Sequence, residues 1–363
     1  MRKCYLDNIR RITVVLVVIY HVSFIFSAVI PKGMAIPPFK EVQYQDGIQY
    51  FLYPWFMVLL FVVSGICARA ALDKYGIREF VKMRTRKLLV PSTIGLFVFQ
   101  WILGYVNMSI AGAFDVMGDN VPMVALYPIM AISGTGALWF IQTLWIFSIL
   151  LVLVRKFEKG KLFERTKNTS LVGLILLVIP LWIFAQILNT PVVTVYRFGI
   201  YGFAFFVGYF ILAHENVMEK IEKAWLPLVI IALASGVAYT FYYFGQEYAV
   251  DPVIDSPFSI AYAWIMVLAV FGFMKKFGNW NTKFTQWMGK QSFGLYVFHY
   301  LTIAAAALWI CHYHNLSALP SYLITAVSGF AGSWILNGVI SRIPMVRWCV
   351  LGIKRKEKHD VSR

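Results

Sequence analysis

The stretch ITVVLVVIYHVSFIFSAVI at residues 12–30 decides the fold class, because its 19 residues are almost continuously apolar. A helix needs about 20 such residues to cross the ~30 Å hydrocarbon core of a bilayer. Nine further apolar runs follow, so the sequence predicts an all-α, polytopic membrane bundle of about ten transmembrane helices. The ten predicted spans are 12–30, 50–70, 88–108, 137–154, 170–189, 196–213, 225–244, 257–274, 291–311 and 320–341.

The composition and the charge distribution agree with a chain embedded in lipid. Of its 363 residues, 60% are hydrophobic and only 14% are charged, which is far from the composition of soluble globular proteins. The net charge of +16 could indicate nucleic acid as a partner, but ten spans and a cytoplasmic N-terminus place nearly all basic residues on cytoplasmic segments. The exceptions are Lys32, Lys40 and Arg197. This asymmetry follows the positive-inside rule. We therefore expect a multi-pass protein of the inner or plasma membrane, with both termini cytoplasmic and with lipids rather than nucleic acid as partners.

Two histidines lie inside predicted spans. An ionisable side chain at membrane depth costs at least ~2.5–3.5 kcal/mol, so it indicates function by default. His21 lies eleven residues beyond Arg10 on the first span, and this spacing places both side chains on one helical face, about three turns apart. His299 lies at a similar depth on the ninth span. The alternative for each histidine is a hydrogen bond that only joins neighbouring helices.

A run of basic residues, RTRKLLVP at 84–91, precedes the third predicted span. Arginine suits phosphate because its planar guanidinium contacts two oxygens at once. Basic residues at a cytoplasmic helix end are also what topology and anionic lipids favour. The run alone leaves both interpretations open.

Five elements, in this order along the chain, resemble the acyltransferase 3 family of integral-membrane acyltransferases. The first span carries Asp7-x-x-Arg10 and then Arg10-x10-His21, in LDNIRRITVVLVVIYHV. The third span begins with Arg84-x-x-Lys87, where the family usually has Arg-x-x-Arg. The other elements are FVVSGICARAAL with Ser64-Gly65, GALWFIQTLW with Trp139-Phe140, and SFGLYVFHYL with Ser292, Tyr296 and His299.

The resemblance implies transfer of an acyl group, usually acetyl from acetyl-CoA, to a hydroxyl of an extracytoplasmic carbohydrate or lipid-linked glycan. Short members of the family transfer other acyl groups, such as succinyl. The resemblance also implies an acyltransferase 3-like transmembrane domain at residues 1–345, followed by a basic cytoplasmic tail at 346–363. Acyl-CoA is then the donor substrate, and no metal is expected.

By the same resemblance, His21 is the catalytic residue, either as general base on the acceptor hydroxyl or as a transient acyl carrier. The CoA phosphates would meet Arg10, Arg84, Arg86 and Lys87. Lys87 keeps the positive charge of the family's second arginine but lacks its planar fork. The thioester oxyanion needs a hydrogen-bond donor. Candidates for that role or for substrate contact are Gln142, Tyr296, His299 and Trp139.

A transporter or flippase for a glycan or glycolipid precursor is the alternative function, because ten helices with buried polar groups would suit it. Such proteins usually contain internal repeats with paired broken helices, and we find no clear repeat in this sequence. A zinc site at Cys311-His312-x-His314 is a weaker alternative, since it lies at an outer helix end and lacks a fourth ligand. Slow hydrolysis of acetyl-CoA without an acceptor would distinguish the enzyme from a transporter.

Overall fold

The computed structural model describes residues 3–29, 42–117, 121–190, 193–313 and 316–353. Lys32, Lys40, His314 and the predicted tail beyond residue 353 lie outside the described residues. All named elements within these ranges are helical, which confirms the predicted all-α class. The α-helices are α1 (Cys4–Phe24), α2 (Gly47–Arg84), α3 (Val90–Ser92), α4 (Trp101–Ile110), α5 (Ala113–Met117), α6 (Met123–Ser133), α7 (Trp139–Glu158), α8 (Lys161–Thr166), α9 (Leu171–Leu176), α10 (Val178–Ala185), α11 (Phe198–Phe210), α12 (Glu215–Lys223), α13 (Trp225–Tyr243), α14 (Pro257–Phe277), α15 (Lys283–Tyr313), α16 (Ala318–Val327), α17 (Ser333–Ile340) and α18 (Pro344–Leu351). Shorter helical turns are π-helical at Thr85–Leu89, Leu96–Gln100 and Ser328–Gly332, and 3-10 at Tyr44–Asp46 and Gly136–Leu138.

Six helical segments of the described chain are long and apolar enough to cross a membrane, or seven if α11 and α12 form one bent span. The protein is therefore a multi-pass membrane protein. The count of ten spans and the cytoplasmic position of both termini stay predictions. The six segments are Tyr44–Ile110, Gly136–Glu158, Trp225–Tyr243, Pro257–Phe277, Lys283–His312 and Ala318–Ile340.

The difference between six segments and ten predicted spans has local causes. Tyr44–Ile110 is 67 residues long, contains two of the predicted spans and is interrupted at Gly76, where φ is +72°. A straight helix of that length would measure about 100 Å, far more than one bilayer crossing requires. The fifth predicted span is divided between the short helices α9 and α10. The sixth corresponds to the 13-residue α11, which meets α12 at an angle of 106°.

The first span is apolar over a shorter length than the sequence predicts. α1 carries three charged residues near its start, Asp7, Arg10 and Arg11, and it ends at Phe24 rather than near residue 30. Beyond that point the Ser27 hydroxyl accepts a hydrogen bond from the backbone N–H of Val29 at 3.3 Å. Such local side-chain bonds compete with helical pairing.

α1 packs between α2, α14 and α15, and Asn8 fixes its position along the bundle. The Asn8 side-chain amide donates to the carbonyl oxygens of Gly278 at 2.7 Å and Trp280 at 2.8 Å, just beyond α14. Its carbonyl accepts from Arg11 Nη1 at 2.7 Å. Lipid is as apolar as the bundle interior, so close packing and interhelical hydrogen bonds supply most of the specificity here. These bonds set the depth at which α1 presents the rest of its side chains.

The α2–α11 contact explains the Ser64-Gly65 element. A Cβ atom at Gly65 would lie 2.0 Å from the carbonyl oxygen of Phe205, and one at Gly208 would lie 2.1 Å from that of Val62. The two helix backbones therefore touch where both have glycine. Small residues that let helix backbones approach closely are a common way to join membrane helices.

The C-terminal helix α18 packs against α3 and the Leu96–Gln100 turn. Cys349, Val350 and Leu351 are buried in this contact. A Cβ atom at Gly352 would lie 2.4 Å from the carbonyl oxygen of Arg86. The predicted boundary at 345 falls inside α18, so residues 346–351 continue a helix that packs on the bundle. The division into a transmembrane domain and a cytoplasmic tail stays a prediction.

Candidate active site

His21 lies in the last turn of α1. Its ring Nδ1 is 2.8 Å from the carbonyl oxygen of Val17, one turn earlier in the same helix. The rings of Tyr20 and Phe24 flank it, with centroid distances of 5.1 and 5.8 Å. The side chain is only partly buried, so part of its ring can be reached by a substrate. Arg10 lies eleven residues before it, about 16 Å along the helix axis.

His299 of α15 faces His21 across the α1–α15 contact. The distance from His299 Nε2 to His21 Nδ1 is 3.2 Å. Its own Nδ1 lies 2.8 Å from the carbonyl oxygen of Tyr296 and 3.1 Å from that of Leu295. His299 is 0% exposed, in contrast to His21. We call His21 and His299 the histidine pair.

The hydrogen bonds of the histidine pair assign its protons. A carbonyl oxygen only accepts, so the Nδ1 atom of each ring carries a proton. His299 Nε2 must then be the acceptor in the contact between the rings, because two N–H groups would repel each other. His21 Nδ1–H is shared between Val17 and His299, and the Nε2 of a neutral His21 keeps its lone pair. Within the described residues, no hydrogen bond engages His21 Nε2. His299 therefore orients His21, and His21 Nε2 is the basic atom of the pair.

Tyr300 is a neighbour of His21 that the sequence analysis missed. Its ring centroid lies 4.9 Å from that of His21, as close as the His299 ring. The Tyr300 hydroxyl is buried and has no hydrogen-bond partner in the described part of the chain. The signal in the sequence was its position next to His299, since adjacent helical residues differ by about 100° in direction and can flank one group.

Two of the predicted oxyanion candidates have their donors occupied by backbone carbonyls. The Tyr296 hydroxyl donates to the carbonyl oxygen of Ala137. The Gln142 amide donates to the carbonyl oxygen of Ser92 at 2.8 Å, while its own oxygen accepts from the Tyr196 hydroxyl. These bonds tie α7 and α15 into the bundle. The Tyr296 O–H and one of the two N–H groups of the Gln142 amide are therefore engaged within the bundle.

Trp139 belongs to an aromatic cluster at the start of α7. Its ring centroid lies 5.4 Å from that of Tyr201 and 6.1 Å from that of Tyr196. Phe61 of α2 completes this group at 6.4 Å from Trp139 and 4.7 Å from Tyr201. The structure brings Trp139 against tyrosines of this cluster rather than against either ring of the histidine pair.

The predicted phosphate contacts gather where α1 begins and α2 ends. The positive charge of Arg10 acts on both Arg84 and Lys87, and Arg86 acts on Lys87. The Arg84 guanidinium lies over the Phe80 ring at 5.1 Å from its centroid. Among the described residues, none of these four cations forms an ion pair with a carboxylate. We call Arg10, Arg84, Arg86 and Lys87 the basic cluster; its uncompensated charge suits a polyanion.

The described residues contain no group of three or more His, Cys, Asp or Glu side chains that could hold a metal ion. Of the three residues considered for zinc, Cys311 has a free thiol, His312 Nδ1 lies 3.2 Å from the carbonyl oxygen of Leu308, and His314 lies outside the described ranges.

Comparison with known proteins decides the family. The acyltransferase domain profile of the acyltransferase 3 family matches residues 4–338, nearly the whole chain. The chain belongs to the acyltransferase 3 family. The resemblance of its five sequence elements is thereby confirmed, and the histidine pair and the basic cluster both lie within the matched region.

Curated relatives of this chain carry the name glucans biosynthesis protein C. Those of Escherichia coli O139:H28 (strain E24377A / ETEC) and Shigella boydii serotype 4 (strain Sb227) are each 22% identical to this chain over 387 aligned positions. The alignments cover 100% of this chain and 98% of each relative. No solved structure matches significantly. The protein is thus a membrane acyltransferase, and its family implies an acyl donor.

Proposed function

We propose that this protein is an acyl-CoA-dependent O-acyltransferase of the inner or plasma membrane. It transfers an acyl group, acetyl in our proposal, from cytoplasmic acyl-CoA to a hydroxyl of an extracytoplasmic carbohydrate. The observation that carries the proposal is the Nε2 atom of His21, which has no hydrogen-bond partner among the described residues and is held beside the buried His299 inside a membrane bundle. Imidazole is the most common general base in enzymes, because its basicity suits proton transfer near neutral pH.

In the proposed reaction the acceptor hydroxyl gives its proton to His21 Nε2 as its oxygen attacks the thioester carbonyl carbon. The tetrahedral intermediate then expels the CoA sulfur, and the proton on His21 passes to that thiolate. An ester and free CoA thiol result, and His21 returns to its neutral state. His299 is a positioning residue in this scheme, because its acceptor Nε2 keeps the His21 proton on Nδ1.

The basic cluster supports the donor assignment. CoA is a polyanion whose reactive sulfur sits at the end of a long, flexible arm. α1 carries Arg10 at one end and His21 about 16 Å away along its axis, so a donor with phosphates at the cluster can extend toward the histidine pair. Charge-assisted bonds from arginine to phosphate are among the strong hydrogen bonds of proteins.

The acceptor assignment draws on the relatives and on the aromatic cluster. The names of the curated relatives refer to glucans, and we extend that substrate class to this chain. Aromatic rings such as those of Trp139, Tyr196 and Tyr201 offer flat apolar faces with polar edges, which suits sugar rings. A glucan hydroxyl is therefore our first choice of acceptor.

The proposal is tested with purified protein in sealed vesicles of uniform orientation. Acetyl-CoA supplied only on the cytoplasmic side should yield acetyl ester on a glucan confined to the opposite side. Parallel vesicles with succinyl-CoA identify the acyl group, and vesicles with His21→Ala protein measure the uncatalysed background. Mass spectrometry of the glucan detects the product.

Three outcomes are informative. Ester on the far side supports the full proposal. Ester only when donor and acceptor share the cytoplasmic side would show an acyltransferase without transfer across the membrane. Absence of both ester formation and acyl-CoA hydrolysis, with either donor, would contradict the acyl-CoA assignment.

A further inference from the structure

Tyr300 places an unpaired hydrogen-bond donor beside the basic histidine. Its side chain is 3% exposed, and its ring centroid lies 4.9 Å from that of His21 and 6.4 Å from that of Phe24. Within the described residues its hydroxyl makes no hydrogen bond. Buried hydroxyls are nearly always paired, and an unpaired one calls for an explanation.

The local backbone makes room for this ring. Gly136, in the turn before α7, has φ +43°, and a Cβ atom there would lie 3.1 Å from Tyr300 Cδ1 and 2.7 Å from Leu103 Cδ2. The turn thus packs directly against the tyrosine ring. A phenylalanine would fill the same space without a buried donor that lacks a partner, which is destabilising in the free protein. The hydroxyl is therefore best explained by a partner that arrives with the substrate.

Comparison of the nearby donors singles out Tyr300. The Tyr296 hydroxyl is bonded to Ala137, and the Gln142 amide is bonded to Ser92. The His299 Nδ1 proton points at backbone carbonyls, and its Nε2 is an acceptor. Tyr300 also touches the His21 ring, and in the described part of the chain its O–H is free.

We infer that Tyr300 is a catalytic residue whose hydroxyl donates a hydrogen bond to the thioester oxygen during acyl transfer. This inference rests on the proposed function. When the acceptor oxygen attacks the carbonyl carbon, the carbonyl π electrons move to its oxygen, and the phenol O–H of Tyr300 stabilises the resulting oxyanion without transferring its proton. The electrons return as the C–S bond breaks, and His21 supplies the proton for the thiolate. Donors aimed at developing charge in a site shielded from water are among the strongest contributors to catalysis.

The test compares Tyr300→Phe with the wild-type protein in acetyl-CoA turnover. Loss of one oxyanion donor typically lowers kcat by about 100- to 1,000-fold, and we expect a fall in that range. KM for acetyl-CoA should change by less than about threefold, because the bond forms mainly in the transition state. Tyr239→Phe is the matched control, since Tyr239 of α13 is also fully buried but its ring packs against Tyr243, Phe258 and Tyr262 rather than against the histidine pair. That variant should keep wild-type kcat.

Two further measurements separate catalysis from structure. The rate at which diethyl pyrocarbonate modifies His21, read by mass spectrometry of its peptide, should be the same in Tyr300→Phe and wild type. The affinity for a CoA thioether that lacks the carbonyl should also be unchanged. A kcat within about threefold of wild type, an equal loss in Tyr239→Phe, or altered His21 modification would overturn the role of Tyr300. If wild-type protein itself turns over no acyl-CoA, the proposed function fails first.

Discussion

The histidine pair and the basic cluster each include a residue of α1, but they differ in how their polar side chains are paired. The histidine pair makes specific contacts of 2.8 to 3.2 Å, which favour a proton on the Nδ1 atom of each ring. The basic cluster brings together four positive charges that repel one another and, in the described chain, have no carboxylate partner. The role we propose for the histidine pair therefore depends on geometry, and the role we propose for the basic cluster depends on charge.

Because of this difference, we expect substitutions in the two regions to change different kinetic parameters. A change in the histidine pair alters which atom can accept a proton, so it should act on kcat. A change in the basic cluster alters the attraction for a polyanion, so it should act on donor affinity and respond to salt. If kcat and KM changed together in both regions, this distinction would be lost.

The largest effect is expected at His21. His21→Ala removes the basic Nε2 and should lower acyl transfer by at least about 100-fold, because general bases typically contribute 10²–10⁴-fold. CoA affinity should be retained, since the basic cluster is intact. Turnover and CoA binding of the purified variant measure the two quantities separately.

His312→Ala is the control for this variant, because His312 also lies on α15, about 20 Å beyond His299 along the helix. It should leave turnover near the wild-type value. A His21→Ala protein that keeps more than a tenth of wild-type activity would show that His21 only joins α1 to α15.

An intermediate effect is expected in the basic cluster. Charge-assisted bonds contribute roughly 1.5–3 kcal/mol each, so Arg10→Ala and Arg84→Ala should each weaken CoA binding by about 10- to 100-fold. Acceptor KM should change little. Arg78→Ala is the control, since Arg78 is an exposed cation of α2 outside the cluster. Unchanged CoA affinity in the Arg10/Arg84 double variant would exclude this site as the donor site.

The two regions also differ in how much of them the sequence predicts. Helical periodicity alone places Arg10 and His21 three turns apart on one face, and both lie on a single continuous helix, α1. The Arg84–Lys87 run lies within a few residues of one helix end, so its proximity is local. What required tertiary structure is that Arg10 meets this run, since α1 and α2 are separated by a turn and by undescribed residues.

The details of the histidine pair were less predictable for the same physical reason. The partner of His21 lies 278 positions away, and only the α1–α15 contact brings the two rings together.

Tyr296 and Gln142 were reasonable oxyanion candidates by residue type, yet their donors meet the carbonyls of Ala137 and Ser92, which no sequence pattern marks. Residue type alone does not mark Tyr300, because tyrosine is common in this chain. At the fifth and sixth predicted spans the structure has the short, bent helices α9–α12 in place of straight apolar ones, and the count of ten spans stays a prediction.

The smallest effect is expected for Lys87→Arg. Lys87 stands where the family usually has arginine, and its side chain is exposed. An exposed charge contact contributes only about 0–1 kcal/mol, so the planar fork of arginine can add little there. CoA affinity should stay within about fivefold of wild type, with any change toward tighter binding, and the difference should shrink as salt is raised from low to physiological concentration. Calorimetric titration of CoA at both salt concentrations measures this. Binding weakened more than tenfold by Lys87→Arg would mean that the compact ammonium fits a space the guanidinium cannot enter, and the basic cluster would then depend on geometry as the histidine pair does.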